Sequence, residues 1–247
     1  FGNDSSGNQN NLATSGLAVH DQVSDSPTNN FAVMNPVDTR GRLQGEIRNG
    51  NLELKDNSLN QYVYGRATFG FDIEDTNGWY WEVLSVTQGA LIAGITDSGD
   101  NLANNGLAFS GAKGITARGG GGGNTYWKNE NTNYTSTNYG VATAAGDIIS
   151  FCAKNGKLFI AVNNVYVESG NPATEANPQY TGLTGEWFPY VGLYSGSSYN
   201  SIVNFGQEGT FAGNKTAQGN TGANGFGNFF YSPPTGAKSL CSRSLGS

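Results

Sequence analysis

The 247-residue chain is predicted to be all-β, a two-sheet antiparallel β-sandwich with an extended N-terminal arm and long loops, and three observations carry that prediction. The first is the stretch 146–167, which reads as three short strands. Asn155-Gly156 and Asn163-Asn164 divide its apolar runs, and both pairs suit a two-residue turn whose central residues sit at positive φ. The second is composition. With 37 glycines, abundant Asn, Ser and Thr and only 13% charged residues, the chain is turn-rich with a weakly charged surface. The third is periodicity: no window sustains a helical repeat, whereas strand-like alternation recurs. Both faces of the 146–167 strands are rich in Ile, Phe, Val and Leu, which predicts a sheet covered by a second one.

Taken in order, residues 1–50 read as an extended arm packed on the sandwich. They are rich in Asn, Ser and Gly and punctuated by Pro27 and Pro36, and Phe31, Val33 and Val37 could supply one edge strand. Residues 51–241 are assigned to the sandwich and 242–247 to a tail. Leu52 and Leu54 alternate with polar neighbours, and 62–71 carries Tyr, Val, Thr and Phe, so both stretches are predicted strands. Residues 78–86 make the most aromatic strand, with Trp79, Trp81 and Val83 facing one way and Tyr80, Glu82 and Leu84 the other. The indoles are assigned to the core, and Glu82 to a hydrogen-bonded or sheet-edge position. A further strand at 91–96 is followed by Asp97-Ser98-Gly99-Asp100-Asn101, a surface turn without the spacing of a Ca²⁺ loop. Residues 186–194 and 201–205 read as the last main strands, and a short apolar piece lies at 237–241.

Between 110 and 140 aliphatic residues almost vanish, and Arg118 precedes five glycines. The segment is predicted to be a long loop. It interleaves aromatic and amide side chains, and Tyr126, Trp127, Tyr134, Tyr139, Asn124 and Asn129 are the candidate ligand- or partner-binding residues. The five glycines are no phosphate cradle, because no Lys-Ser/Thr pair follows them.

The same reading narrows function. Thirteen basic against 19 acidic residues give a net charge of -6 with no basic cluster, which argues against nucleic acid as a partner. No apolar run approaches the roughly 20 residues of a transmembrane helix, so membrane insertion is not expected. The single His, His20, lies in the arm, and together with two distant cysteines it makes neither a nucleophilic constellation nor a zinc site. No catalytic residue, cofactor or metal is therefore assigned. A two-carboxylate glycan-active enzyme is the less favoured alternative. Cys152 and Cys241 are expected to be two buried, unbridged thiols.

The order of several pieces resembles the SPRY domain, a two-sheet, jelly-roll-like β-sandwich used for binding. These pieces are Trp79-Tyr80-Trp81-Glu82-Val83, Leu91-Ile92-Ala93-Gly94-Ile95, Gly146-Asp147-Ile148-Ile149, the turn at Asn163-Asn164, Trp187-Phe188-Pro189-Tyr190-Val191 and Val203-Asn204-Phe205-Gly206. A second resemblance covers nearly the whole chain. Asp4-Ser5-Ser6-Gly7-Asn8, Asp25-Ser26-Pro27-Thr28-Asn29-Asn30-Phe31 and Phe230-Tyr231-Ser232-Pro233-Pro234-Thr235-Gly236 with Leu240-Cys241 look like SPRY-like modules of bacteriophage tail-fibre and other virion proteins. That likeness implies a non-enzymatic structural or adhesion module, part of a tail fibre or similar appendage, located in the virion and assembled in the host cytoplasm. The implied partners are further copies of the chain, other virion proteins, or a host-surface glycan or protein. A purely architectural subunit of a capsid, fibre or extracellular filament is the alternative. The chain starts at Phe1 without an initiator Met, as a processed product or a piece of a longer polypeptide would.

Overall fold

The 146–167 stretch folds into three consecutive antiparallel strands, β11 (Asp147–Lys154), β12 (Lys157–Val162) and β13 (Val165–Tyr166). Asn155 and Gly156 have φ of 50° and 70°, and Asn163 and Asn164 have 48° and 64°, so both turns adopt the doubly positive conformation that their residues tolerate. Asn163 also braces its turn. Its Oδ1 accepts from Ile148 N (3.0 Å) while its Nδ2 donates to Asp147 Oδ1 (2.8 Å).

A computed structural model describes residues 3–4, 6–18, 21, 23, 25–26, 28–40, 45–56, 62–88, 91–99, 111–118, 125–130, 137–194 and 199–245. Among them the structure is two packed sheets with no α-helix; a short 3-10 turn lies at Val167–Ser169. The meander belongs to a sheet ordered β13, β12, β11, β6 (Trp79–Ser85), β15 (Asn200–Asn204), β3 (Glu53–Asp56) and β2 (Gly45–Arg48). The facing sheet runs β1 (Met34–Arg40), β4 (Tyr62–Ala67), β14 (Glu186–Tyr194), β7 (Leu91–Asp97), β8 (Lys113–Arg118), β9 (Thr125–Glu130) and β10 (Asn138–Ala142), with β5 (Phe71–Asp72) also on β14. All pairs are antiparallel except β16 (Lys238–Ser239), which lies parallel to β6. β1 and β2 lie within the segment read as an arm, and each forms an edge of one sheet.

The core lies between the sheets. Trp81 stacks on Phe151 with centroids 5.0 Å apart, and Phe71 packs against both Trp79 and Trp81, as the alternation in 78–86 requires. The opposite face of the meander is covered by the chain's own C-terminal segment rather than by a sheet. Phe229 and Ala237 pack there on Tyr80, Cys152 and Phe159.

The predicted loop at 110–140 is corrected by the structure, because β8, β9 and β10 extend the facing sheet through it. Only one face of these strands meets the core. Ile115, Ala117 and Tyr126 suffice there, and the other face accepts Gly114, Thr116 and Asn129. A strand with one apolar face does not need an aliphatic run. Cys152 and Cys241 are both buried and unbridged, and burial pushes the Cys152 thiol up to about 12.

Candidate functional site

Strand parity decides the fate of each candidate residue on β9. Tyr126 points inward, is fully buried and donates its hydroxyl to Asp147 Oδ2 (3.0 Å), tying the facing sheet to the start of β11 in the meander sheet. Burial, reinforced by the Asp147 carboxylate, drives its phenol above the usual tyrosine range. Tyr126 is therefore a structural residue, which corrects its assignment to a binding loop. Trp127 points the other way. It is half-buried on the outer face of the sheet, and its indole N–H donates to Thr125 Oγ1 (3.0 Å).

Asn129 shares that outer face but is fully buried. Its Nδ2 donates to the Tyr190 hydroxyl (2.6 Å), while its main-chain carbonyl accepts from Tyr180. Gly94 on β7 and Gly114 on β8 lie in register between Tyr190 and Asn129, so neither intervening strand raises a side chain between these two. Asn129 is thus held as a structural residue as well. Tyr139 on β10 is half-buried and packs against the core. Asn124 and Tyr134, like His20, lie outside the described residues.

What remains exposed is the outer face of the edge hairpin. Trp127 is paired in register with Thr116 on one side and Asn138 on the other, and the row continues through Ile92 and Gly192 to Tyr64. Burial falls steadily along that row, from Tyr64, Ile92 and Thr116, which are sealed, through half-buried Trp127 to exposed Asn138. Thr116 Oγ1 and Asn129 Oδ1 are sealed without a hydrogen-bond partner. Gly140 and Ala142 on β10 add small, exposed residues beside the indole. This arrangement offers an aromatic contact rimmed by amide and hydroxyl groups.

A second constellation surrounds Glu82. Its carboxylate is fully buried on the outer face of β6. Oε1 accepts from the Tyr80 hydroxyl (3.0 Å) and Tyr231 N (2.8 Å), and Oε2 accepts from Phe230 N (2.9 Å) and Asn204 Nδ2 (3.3 Å). Burial raises its pKa to about 7 against the pull of these four donors. Sequence reasoning singled out Glu82 but missed its donors, because Phe230 and Tyr231 lie almost 150 positions away. Among the described residues no group of three or more His, Cys, Asp or Glu converges as a metal site, and no helix is long and apolar enough to cross a membrane.

Comparison with solved structures gives the SPRY domain of human HERC1 at a TM-score of 0.51 and 16% identity, covering 69% of this chain and 96% of that domain. The fold is a SPRY-type β-sandwich. The PSpry domain of TRIM65 aligns at a TM-score of 0.48 and 10% identity, over 70% of this chain and 92% of its own. A polysaccharide lyase family 7 alginate lyase, AlgAT5, aligns at 0.38 and 10%, over 66% and 82%. No protein-family model and no curated protein matches the chain.

Proposed function

We propose that this chain is a non-enzymatic recognition module whose SPRY-type sandwich presents the outer face of the β9–β10 hairpin to a partner. The observation that carries the reading is Trp127, a large aromatic kept half-exposed at the open edge of a sheet while its neighbours Tyr126 and Asn129 are fully buried. Trp and Tyr give large contact area with few rotors, and they anchor recognition surfaces for that reason. The carboxylate with the most raised pKa, Glu82, is sealed beneath the chain's own C-terminal segment, so it has no open cleft in which to act on a substrate.

The biological setting we propose is a virion appendage such as a tail fibre, with a host-surface glycan or protein as the partner. It rests on the likeness of the chain's two ends to phage SPRY-like modules. An architectural role is the second reading, favoured by the arm, which holds Leu12 76% and Leu17 53% exposed. The test is Trp127→Ala. The expected result is a thermal stability within about 1 kcal/mol of the parent and a loss of adsorption to host cells by the isolated domain. Unchanged adsorption with impaired self-assembly would select the architectural reading, and loss of neither would remove the hairpin as the site.

A further inference from the structure

We propose that Glu82 is a proton-binding latch whose protonation state sets how tightly the C-terminal segment 228–231 is held on the outer face of the meander sheet. The geometry is one-sided. Phe230 and Tyr231 each donate a backbone N–H to this single carboxyl, Phe229 beside them fills the apolar cluster of Tyr80, Cys152 and Phe159, and Tyr80 and Phe229 meet edge-on at 5.0 Å. Asn204 connects the same two partners, with its Nδ2 shared between Glu82 Oε2 and the Asn228 carbonyl. The carboxyl is thus one hold on the segment, beside the main-chain bonds of Phe229 with Asn220 and of Asn228 with Gly206.

No cation compensates the carboxylate, since none of the ion pairs among the described residues includes Glu82. The groups that face it are nearly all neutral or acidic. Tyr80 lies on its own strand, Ser150 and Cys152 on β11, Tyr166 on β13, Asn204 on β15 and Tyr231 on the held segment, with Asp147 acting on Tyr231 from the start of β11. Among the described residues, Lys238 on β16 beside β6 is held by Asp75 (2.9 Å), and Lys215 lies by the held segment. Its Nζ is engaged by the Gly146 carbonyl and lies 5.9 Å from the Phe230 ring.

The site also has a place for a proton. Ser150 stands directly opposite Glu82 in the β11–β6 register, with its hydroxyl sealed beside the Tyr80 phenol. A proton taken from water onto one Glu82 oxygen turns that oxygen into a donor toward Ser150 Oγ or the Tyr80 oxygen. The remaining lone pairs still accept from Phe230 and Tyr231. The neutral acid thus keeps both backbone bonds and loses the cost of a buried charge.

The sign follows. Burial raises the carboxyl from its ordinary 4.5 to about 7 with the segment seated, and opening the segment is expected to let it fall back toward 4.5. Its contribution to holding the segment is fully present below about 4.5 and is lost as pH rises through about 7. The latch tightens in acid and slackens above neutrality.

Carboxyl carbon NMR titration of the whole domain, with hydrogen exchange at the Phe230 and Tyr231 amides from pH 5.5 to 8.5, tests this. The expected result is a Glu82 midpoint near 7 and a fall of roughly 30-fold in the two amides' protection, after correction for intrinsic exchange. In Glu82→Gln, which keeps an acceptor and cannot titrate, the same protection is expected to stay flat. A Glu82 midpoint in the ordinary carboxylate range, or protection with the same pH dependence in parent and variant, would overturn the proposal. The parent titration decides alone if the variant does not fold.

Discussion

Tyr126 and Trp127 are adjacent in sequence and opposite in role, and one substitution at each separates packing from recognition. Tyr126→Phe keeps the ring in the core and deletes one hydrogen bond to Asp147, whose Oδ2 still accepts from Ala144 N. The expected cost is about 1 kcal/mol in urea unfolding, with partner binding unchanged. Phe229→Ala removes a fully buried ring from the cluster on Tyr80 and is expected to cost about 3–5 kcal/mol. Residue-level roles were only partly legible. The indoles of 78–86 could be placed because two tryptophans alternate with charged and aromatic neighbours in a long run. In 125–129 the aromatics sit side by side, so sequence alone does not say which faces in, and the two fully buried members, Tyr126 and Asn129, were read together with the surface ones.

At the scale of elements, short-range signals carried furthest. Asn155-Gly156 and Asn163-Asn164 located two turns to the residue, because positive φ is a local requirement. Asn163→Ala is expected to cost about 2 kcal/mol by differential scanning calorimetry, since it strains a residue at positive φ and removes the brace to Ile148 and Asp147. What sequence did not reveal were β8, β9 and β10, whose support is a single apolar face and long-range pairing to β7. Pairing also brings together charges that sequence keeps apart. Glu186 and Asp72 are directly opposite on β14 and β5, both exposed, and like charges so placed repel. Glu186→Lys is expected to raise stability by about 0.5–1 kcal/mol at low salt, an advantage that should shrink as salt is added.

For the molecule as a whole, the buried thiols report on global opening. Cys152 lies under Phe229 and Ala237, and Cys241 is sealed beside Ser239 and Ser244. Neither is expected to react with an aromatic disulfide reagent in the native protein, and both should react once it is denatured. One thiol titrating fast in the native state would mean that its cover opens independently of the sandwich. The two-sheet architecture itself was legible because composition, alternation and turn chemistry agreed. The covering of the meander sheet by the chain's own end was not, because no local pattern in 228–241 announces the face it will find.

The two ends of the sandwich also close on each other. Phe31 bridges Cys241, Ala32 N donates to the Leu240 carbonyl, and Ser242 N donates to the Asn30 carbonyl. During synthesis the first of these partners leaves the ribosome some 200 residues before the second. Phe31 and Ala32, both buried in the finished structure, lack these partners until then. That part of the seam is therefore expected to close only at the end of synthesis. The domain's last strand is the step that commits the nascent chain, and any arrest before residue 238 leaves an apolar seam open to chaperones and to neighbouring chains.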